Sequence, residues 1–219
     1  MFAIVWKDLL LEARNRSMLA SLFVLSVLIL LVFELALSPS PHEAVRMAPG
    51  LLWTAIVLSA SIALGRSFAI EREGRAIDIL VAAPIDRGSI YLAKVIVNVT
   101  VLSIFELMLL PMLVGFTGVE IANALPALML ILVAGNIGIA AVGALFAPAA
   151  HATRARELVL PLVALPLEVP LIVACVQATE LVLAGAHASA IWPRVVLLGS
   201  FDALFLAAGW ILFESVAVD

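Results

Sequence analysis

From Ile121 to Phe146 the chain covers a bilayer's thickness of sequence without one Asp, Glu, Lys or Arg. A hydrocarbon core takes roughly 20 apolar residues of helix to span, and other stretches of this chain reach the same length. In lipid every backbone polar group must be satisfied internally, so only helices and closed barrels cross. Composition agrees, at 65% hydrophobic and 13% charged, where soluble domains average about 25% charged. The expectation is an all-α integral membrane protein with six transmembrane helices, forming a single transmembrane domain over residues 1–219.

The six spans are expected at Ser17–Leu37, Leu51–Ile70, Ser89–Phe116, Ile121–Phe146, Leu158–Ala184 and Trp192–Ser215. Ser38-Pro39-Ser40-Pro41 stops the first, because proline cannot continue a helix. Ahead of it, Phe2, Val5, Trp6, Leu9, Leu10 and Ala13 share one face at helical spacing, with Lys7, Asp8 and Arg14 off it. That suits a helix over residues 2–16 lying in the membrane interface; the plainer alternative is a charged lead-in to the first span. With the N-terminus inside, the cytoplasmic side holds Lys7, Arg14, Arg16, Arg66, Arg72, Arg75, Arg87, Lys94, Arg154 and Arg156, against Arg46 and Arg194 outside. Positive residues favour the cytoplasmic side, so both termini are expected there. Trp53 and Trp192 then fall at outer span ends and Trp6 at the inner face, as an aromatic belt.

A single cysteine, Cys175, excludes an internal disulfide, a CxxC redox pair and a CxxCH haem-attachment site. No GxxxxGK[ST] loop is present, so nucleotide phosphates are not held in that way. Nothing points to a metal site, a tightly bound cofactor, a nucleic-acid partner or an enzyme acting by itself.

Charge instead concentrates in "EREGRAID", Glu71–Asp78, on the cytoplasmic side between spans two and three. As a helix, this places Glu71, Arg75 and Asp78 on one side and Ile77, Leu80 and Val81 on the other. Gly74 separates it from span two, Pro84 stops it, and Asp86 is a helix N-cap for span three. Such a short amphipathic helix either lies on lipid headgroups or docks its apolar side in a partner's groove.

The segment "EREGRAIDILVAAPIDRGSIYLAKV" resembles the cytoplasmic loop of ABC-2-type permeases, with Glu71, Gly74, Leu80, Pro84 and Lys94 at that superfamily's spacing. "RMAPGLLWTAIVLSA" (Arg46–Ala60) and "VLPLVALPLEVPLIVA" (Val159–Ala174) are similar to the CcmB family, the permease subunit of the cytochrome c biogenesis haem exporter. The likeness runs over nearly the whole chain. Two departures are Ala76-Ile77-Asp78, where the family more often shows Ser/Thr-Leu-Glu, and Glu168, set among residues that are usually apolar.

What the resemblance implies is a multi-pass permease of the bacterial cytoplasmic (inner) membrane, working as a homodimer with a separate ATP-binding subunit that carries ATP and Mg. Residues 71–88 become its coupling loop, with Glu71, Arg72, Glu73, Gly74, Arg75, Ile77, Asp78, Leu80 and Pro84 docking on that subunit. Other implied partners are a haem-handling membrane subunit, a small membrane subunit and a haem chaperone, with haem the species handled. An ABC-2-type permease exporting lipid, polysaccharide or drug is the alternative.

Within the spans, Pro161, Pro166 and Pro170 each remove a backbone donor, marking span five as a gating candidate or a static packing kink. Glu106 and Glu168 are the deepest acids; Glu34, Glu180, Asp202 and Glu214 lie nearer the ends or are less clear. A bare carboxylate in lipid costs several kcal/mol, and no intramembrane Lys or Arg is expected to pair with them. These acids also admit a proton-driven transporter or a carboxylate-pair enzyme, though no motif supports either. In "AGNIGIAAVGA", Ala134/Gly138 and Ala140/Ala144 provide small residues for close helix packing. His42, His151 and His187 show no spacing typical of a ligand set.

Overall fold

The computed structural model describes residues 1–14, 16–37, 39–73, 86–150 and 156–216, and these are helical apart from short connections. Among the described residues seven helices follow in order: α1 (Phe2–Arg14), α2 (Arg16–Leu37), α3 (Pro41–Glu73), α4 (Arg87–Thr117), α5 (Leu125–Ala150), α6 (Arg156–Leu183) and α7 (Ala188–Val216). Among the described residues, five contain stretches long and apolar enough to cross a membrane: His42–Ala63, Arg87–Thr117, Leu125–Phe146, Val163–Leu183 and Ala188–Phe213. In α2, which runs 22 residues, the described apolar stretch is Ala20–Ala36. This is a helical membrane protein.

The helix ends follow local chemistry. Ser40 heads α3, with Pro41 as its first residue; both Ser40 N and Ser40 Oγ donate to Glu43 Oε2, at 2.9 and 2.6 Å. This is half of a capping box with proline where its missing N–H costs nothing. The same prolines that stop α2 therefore start α3, ten residues before the expected Leu51. Asp86 caps α4 as the sequence suggests, accepting from Ser89 N at 3.0 Å. The α6–α7 corner closes on Gly185 (φ 67°), with Ala186 N donating to Leu181 O and Gly185 N to Val182 O. These are the paired bonds of a Schellman motif, whose left-handed position glycine fills without strain.

α5 is the hub: it packs against α3, α4, α6 and α7. Of its crossing stretch 72% is buried, against 17% for α7, so α5 is the core and α7 an edge. α7 buries one stripe, Leu198, Asp202, Gly209 and Phe213, and exposes Leu204, Trp210 and Ile211. In a bilayer such exposed apolar surface faces lipid.

α1 packs against α4, by a face the periodicity did not favour. Phe2, Trp6 and Leu10 point away from the bundle, while Ile4 and Asp8 are buried. Asp8 enters the bundle because Lys94 of α4 waits there. Lys94 Nζ donates to Asp8 Oδ2 at 2.6 Å, and Lys7 Nζ lies 2.9 Å from Asp8 Oδ1. Asp8, off the apolar face by periodicity, is thus the buried side of α1, and Lys94, counted among the cytoplasmic charges, is a buried, ion-paired cation within α4. The outward apolar stripe of α1 suits contact with lipid.

Removing one partner of a buried pair leaves an uncompensated charge, at about 3–5 kcal/mol. Lys94→Met should lower stability by about 3 kcal/mol, the low end of that range, because Lys7 remains beside Asp8. The double variant Asp8→Asn/Lys94→Met should recover most of the loss. Thermal unfolding of the two variants in detergent checks this.

Candidate functional site: a polar seam around the central helix

Helix contacts in lipid are set by small residues that let backbones approach and by polar side chains that bond across. α5 has both. A Cβ on Gly135 would overlap the indole of Trp53 and touch Cys175 Sγ. One on Gly138 would meet Leu171 and Asp202 Oδ1. The close-packing positions are thus Gly135 and Gly138, one turn apart, and at both the neighbours belong to the same chain. At Trp53 the expected outer-belt role fails: the ring is wholly buried, with Nε1 donating to Thr179 Oγ1 at 2.9 Å. The void over Gly135 receives the indole, and Thr179 satisfies its N–H.

Beside these glycines lies Asn136, fully buried. Its Nδ2 donates to Glu106 Oε2 at 2.9 Å and to Ser103 Oγ at 3.3 Å, joining α5 to α4. Glu106 is 2% exposed. Asp202 enters from α7 against Gly138, and Cys175 on α6 lies within electrostatic reach of both Asp202 and Glu106. Acids from two helices and a thiol from a third therefore surround α5 near mid-bundle. Further along, the Tyr91 hydroxyl sits 3.1 Å from Ala141 O and 3.0 Å from Phe205 O, one proton shared between α5 and α7. Ser26 and Ser59 bond at 2.8 Å between α2 and α3.

Glu168 is 1% exposed and shares the inward face of α6 with Leu171 and Cys175. Pro166 and Pro170 stand on the opposite, outward side. α6 continues through Pro161, Pro166 and Pro170 as one helix, so the three prolines do not divide it. Glu106 and Glu168 are not brought together as a pair: α5 packs between their helices, and Glu106 takes Asn136 instead. Glu34 is half-buried and Glu180 exposed.

Of the charged segment, Glu71, Arg72 and Glu73 form the last turn of α3. Gly74, Arg75, Ile77, Asp78, Leu80 and Pro84 lie outside the described residues, as does His151. Sequence reasoning missed Asn136, Thr179 and the pairing of Lys94 with Asp8. Asn136 carried a signal, an amide inside an otherwise apolar helix; the partners of Lys94 and Thr179 stand 86 and 126 residues away and gave none.

Overpacking costs about 1–3 kcal/mol, while glycine to alanine in a helix returns about 1 kcal/mol. Gly135→Ala should therefore lower the melting temperature, whereas Gly115→Ala in α4, where a Cβ meets nothing within 4 Å, should leave it unchanged or raise it. A drop in Gly135→Ala with none in Gly115→Ala, read from a detergent melt, identifies the α5 contact as tight.

Comparison with known proteins fits this bundle. The heme exporter protein B of Pseudomonas aeruginosa is 26% identical over 193 residues, 88% of this chain and 85% of the relative. That of Rhodobacter capsulatus is 26% identical over 212 residues, covering 94% and 93%. That of Escherichia coli K12 is 28% identical over 91 residues, 42% and 41% of the two chains. Residues 1–213 match the family described as CcmB protein. The chain belongs to the CcmB family.

Proposed function

We propose that this protein is the membrane permease of a bacterial haem exporter, moved by ATP hydrolysis in a separate subunit. The observation that carries the reading is the family match over residues 1–213, together with relatives bearing the name heme exporter protein B. The helical bundle supports it, with at least five stretches among the described residues fit to cross a bilayer and a buried polar seam at its centre. The missing phosphate loop is what a permease that borrows its ATPase requires.

In this reading the protein sits in the bacterial inner membrane with both termini cytoplasmic, on the count of Lys and Arg. It forms one permease domain, working as a homodimer. The segment from Glu71 to Pro84 takes force from the ATP-binding subunit. Glu71–Glu73 continue α3, and Asp86 caps α4, so a push on the intervening residues reaches two helices that both pack on α5. The bundle either carries haem across or, through the same motion, releases a haem-loaded chaperone from a neighbouring membrane subunit. Glu106, Glu168 and the prolines of α6 line the moving part.

Two measurements test this. Complex purified from native membrane should contain an ATP-binding chain, and in sealed vesicles its turnover should either move haem or free loaded chaperone. Turnover accompanied by neither outcome, with lipid or another solute moving instead, would replace haem by that cargo. The exchange Glu71→Arg/Arg75→Glu should leave membrane insertion intact while ATPase activity falls to that of the ATP-binding subunit alone. Normal coupling in this variant would remove the segment from the mechanism.

A further inference from the structure

Among the described residues, four acceptor oxygens buried in the spanning helices have no hydrogen-bond donor: Glu106 Oε1, Asn136 Oδ1, Glu168 Oε2 and Asp202 Oδ1. At Glu106 and Asn136 the shortage follows from the inventory of the pair. A carboxamide has two N–H donors and one carbonyl; a carboxylate has acceptors only. Both N–H groups of Asn136 are taken, one by Ser103 Oγ and one by Glu106 Oε2. What remains on the two side chains is one open acceptor oxygen each, with no hydrogen of the pair left for either, on residues 2% and 0% exposed. Leaving a buried acceptor empty costs about as much as a lost hydrogen bond, and more for a charged group.

Among the described residues no cation fills this gap. Lys94 on the same helix is bonded to Asp8 at the other end of α4. The titratable groups from neighbouring helices within electrostatic reach are Cys175, facing Glu106 from α6, and Asp202, facing Cys175 from α7; Glu168 lies on the same face of α6 as Cys175. All of these are acids, and none supplies positive charge.

We propose that Glu106 is a proton-binding site, carrying a hydrogen on Oε1, and that the α4–α5 contact is built for the neutral acid. A protonated carboxyl donates at one oxygen and accepts at the other. A carboxamide does the reverse, so Asn136 is the complement that holds Glu106 in this form. Ser103 takes the second amide hydrogen and fixes which way Asn136 faces. One proton removes the charge from the bundle interior and turns an empty acceptor into a donor. Among the described residues no group of three or more His, Cys, Asp or Glu side chains is gathered to hold a metal ion there instead. The inference stands independently of what the protein transports.

The test is infrared difference spectroscopy on the full-length protein, with its co-purifying partners, in lipid nanodiscs at neutral pH. The wild-type minus Glu106→Gln spectrum should contain the C=O stretch of a protonated carboxyl. In Asn136→Leu, with Glu106 retained, that band should move to higher frequency as its hydrogen bonding is lost; this arm serves even if Glu106→Gln does not fold. A difference spectrum holding only ionised carboxylate bands, or a band unmoved in Asn136→Leu, overturns the proposal. So does loss of the protonated band when sodium chloride replaces choline chloride, which would identify a sodium site.

Discussion

A polar group carried into hydrocarbon has no water to fall back on, and the arrangement of this bundle follows from that fact. Several pairs of neighbouring helices are pinned where a buried polar side chain finds a partner: Ser26 with Ser59, Trp53 with Thr179, Tyr91 with two backbone carbonyls, Asn136 with Glu106, Lys94 with Asp8. Each neutral bond is worth only about 0.6–2 kcal/mol in a membrane. Their effect is selective: a helix rotated by one residue would leave both partners bare in lipid. The apolar surface fills space without choosing a register, and the polar pairs choose it.

α5 can hold the centre because its sequence asks little of its neighbours in volume. Gly135 and Gly138 let Trp53 and Asp202 come against the backbone, and Ala140, Ala141 and Ala144 are fully buried. A helix so poor in bulk has little lipid-facing surface to offer and is best placed inside. The one polar side chain it carries there, Asn136, becomes the point where the charge state of Glu106 and the position of α4 are linked.

The helices were legible in the sequence because hydrocarbon imposes a length and a polarity that composition reports directly. Boundaries were legible where a local rule applied, as at Asp86. The start of α3 was written just as locally in Ser40-Pro41-His42-Glu43, but the same prolines also end α2, and the stop signal masked the start. Lateral arrangement was not legible. Lys94 reads as one more cytoplasmic charge until Asp8 is beside it, and Trp53 reads as an interfacial aromatic until Gly135 opens a slot for it. Likewise the α1 periodicity identified Phe2, Trp6 and Leu10 as a stripe, yet only a binding site for Asp8 decides that the stripe turns outward.

α6 is where this order is least complete. Pro161, Pro166 and Pro170 supply no N–H to the carbonyls four residues before them, so Glu157, Leu162 and Pro166 lose their usual helical donors, and Glu168 Oε2 lies unpartnered on the inward face. A helix bends at a cost set mainly by the i to i−4 bonds it must stretch, and three of those are already absent over less than three turns. Because Pro166 and Pro170 stand on the outward side, bending there does not disturb the inward contacts of Leu171 and Cys175 with α5. Compliance and packing thus occupy opposite faces of one helix, the arrangement in which a segment can flex against a fixed hub without first breaking the polar seam that holds it.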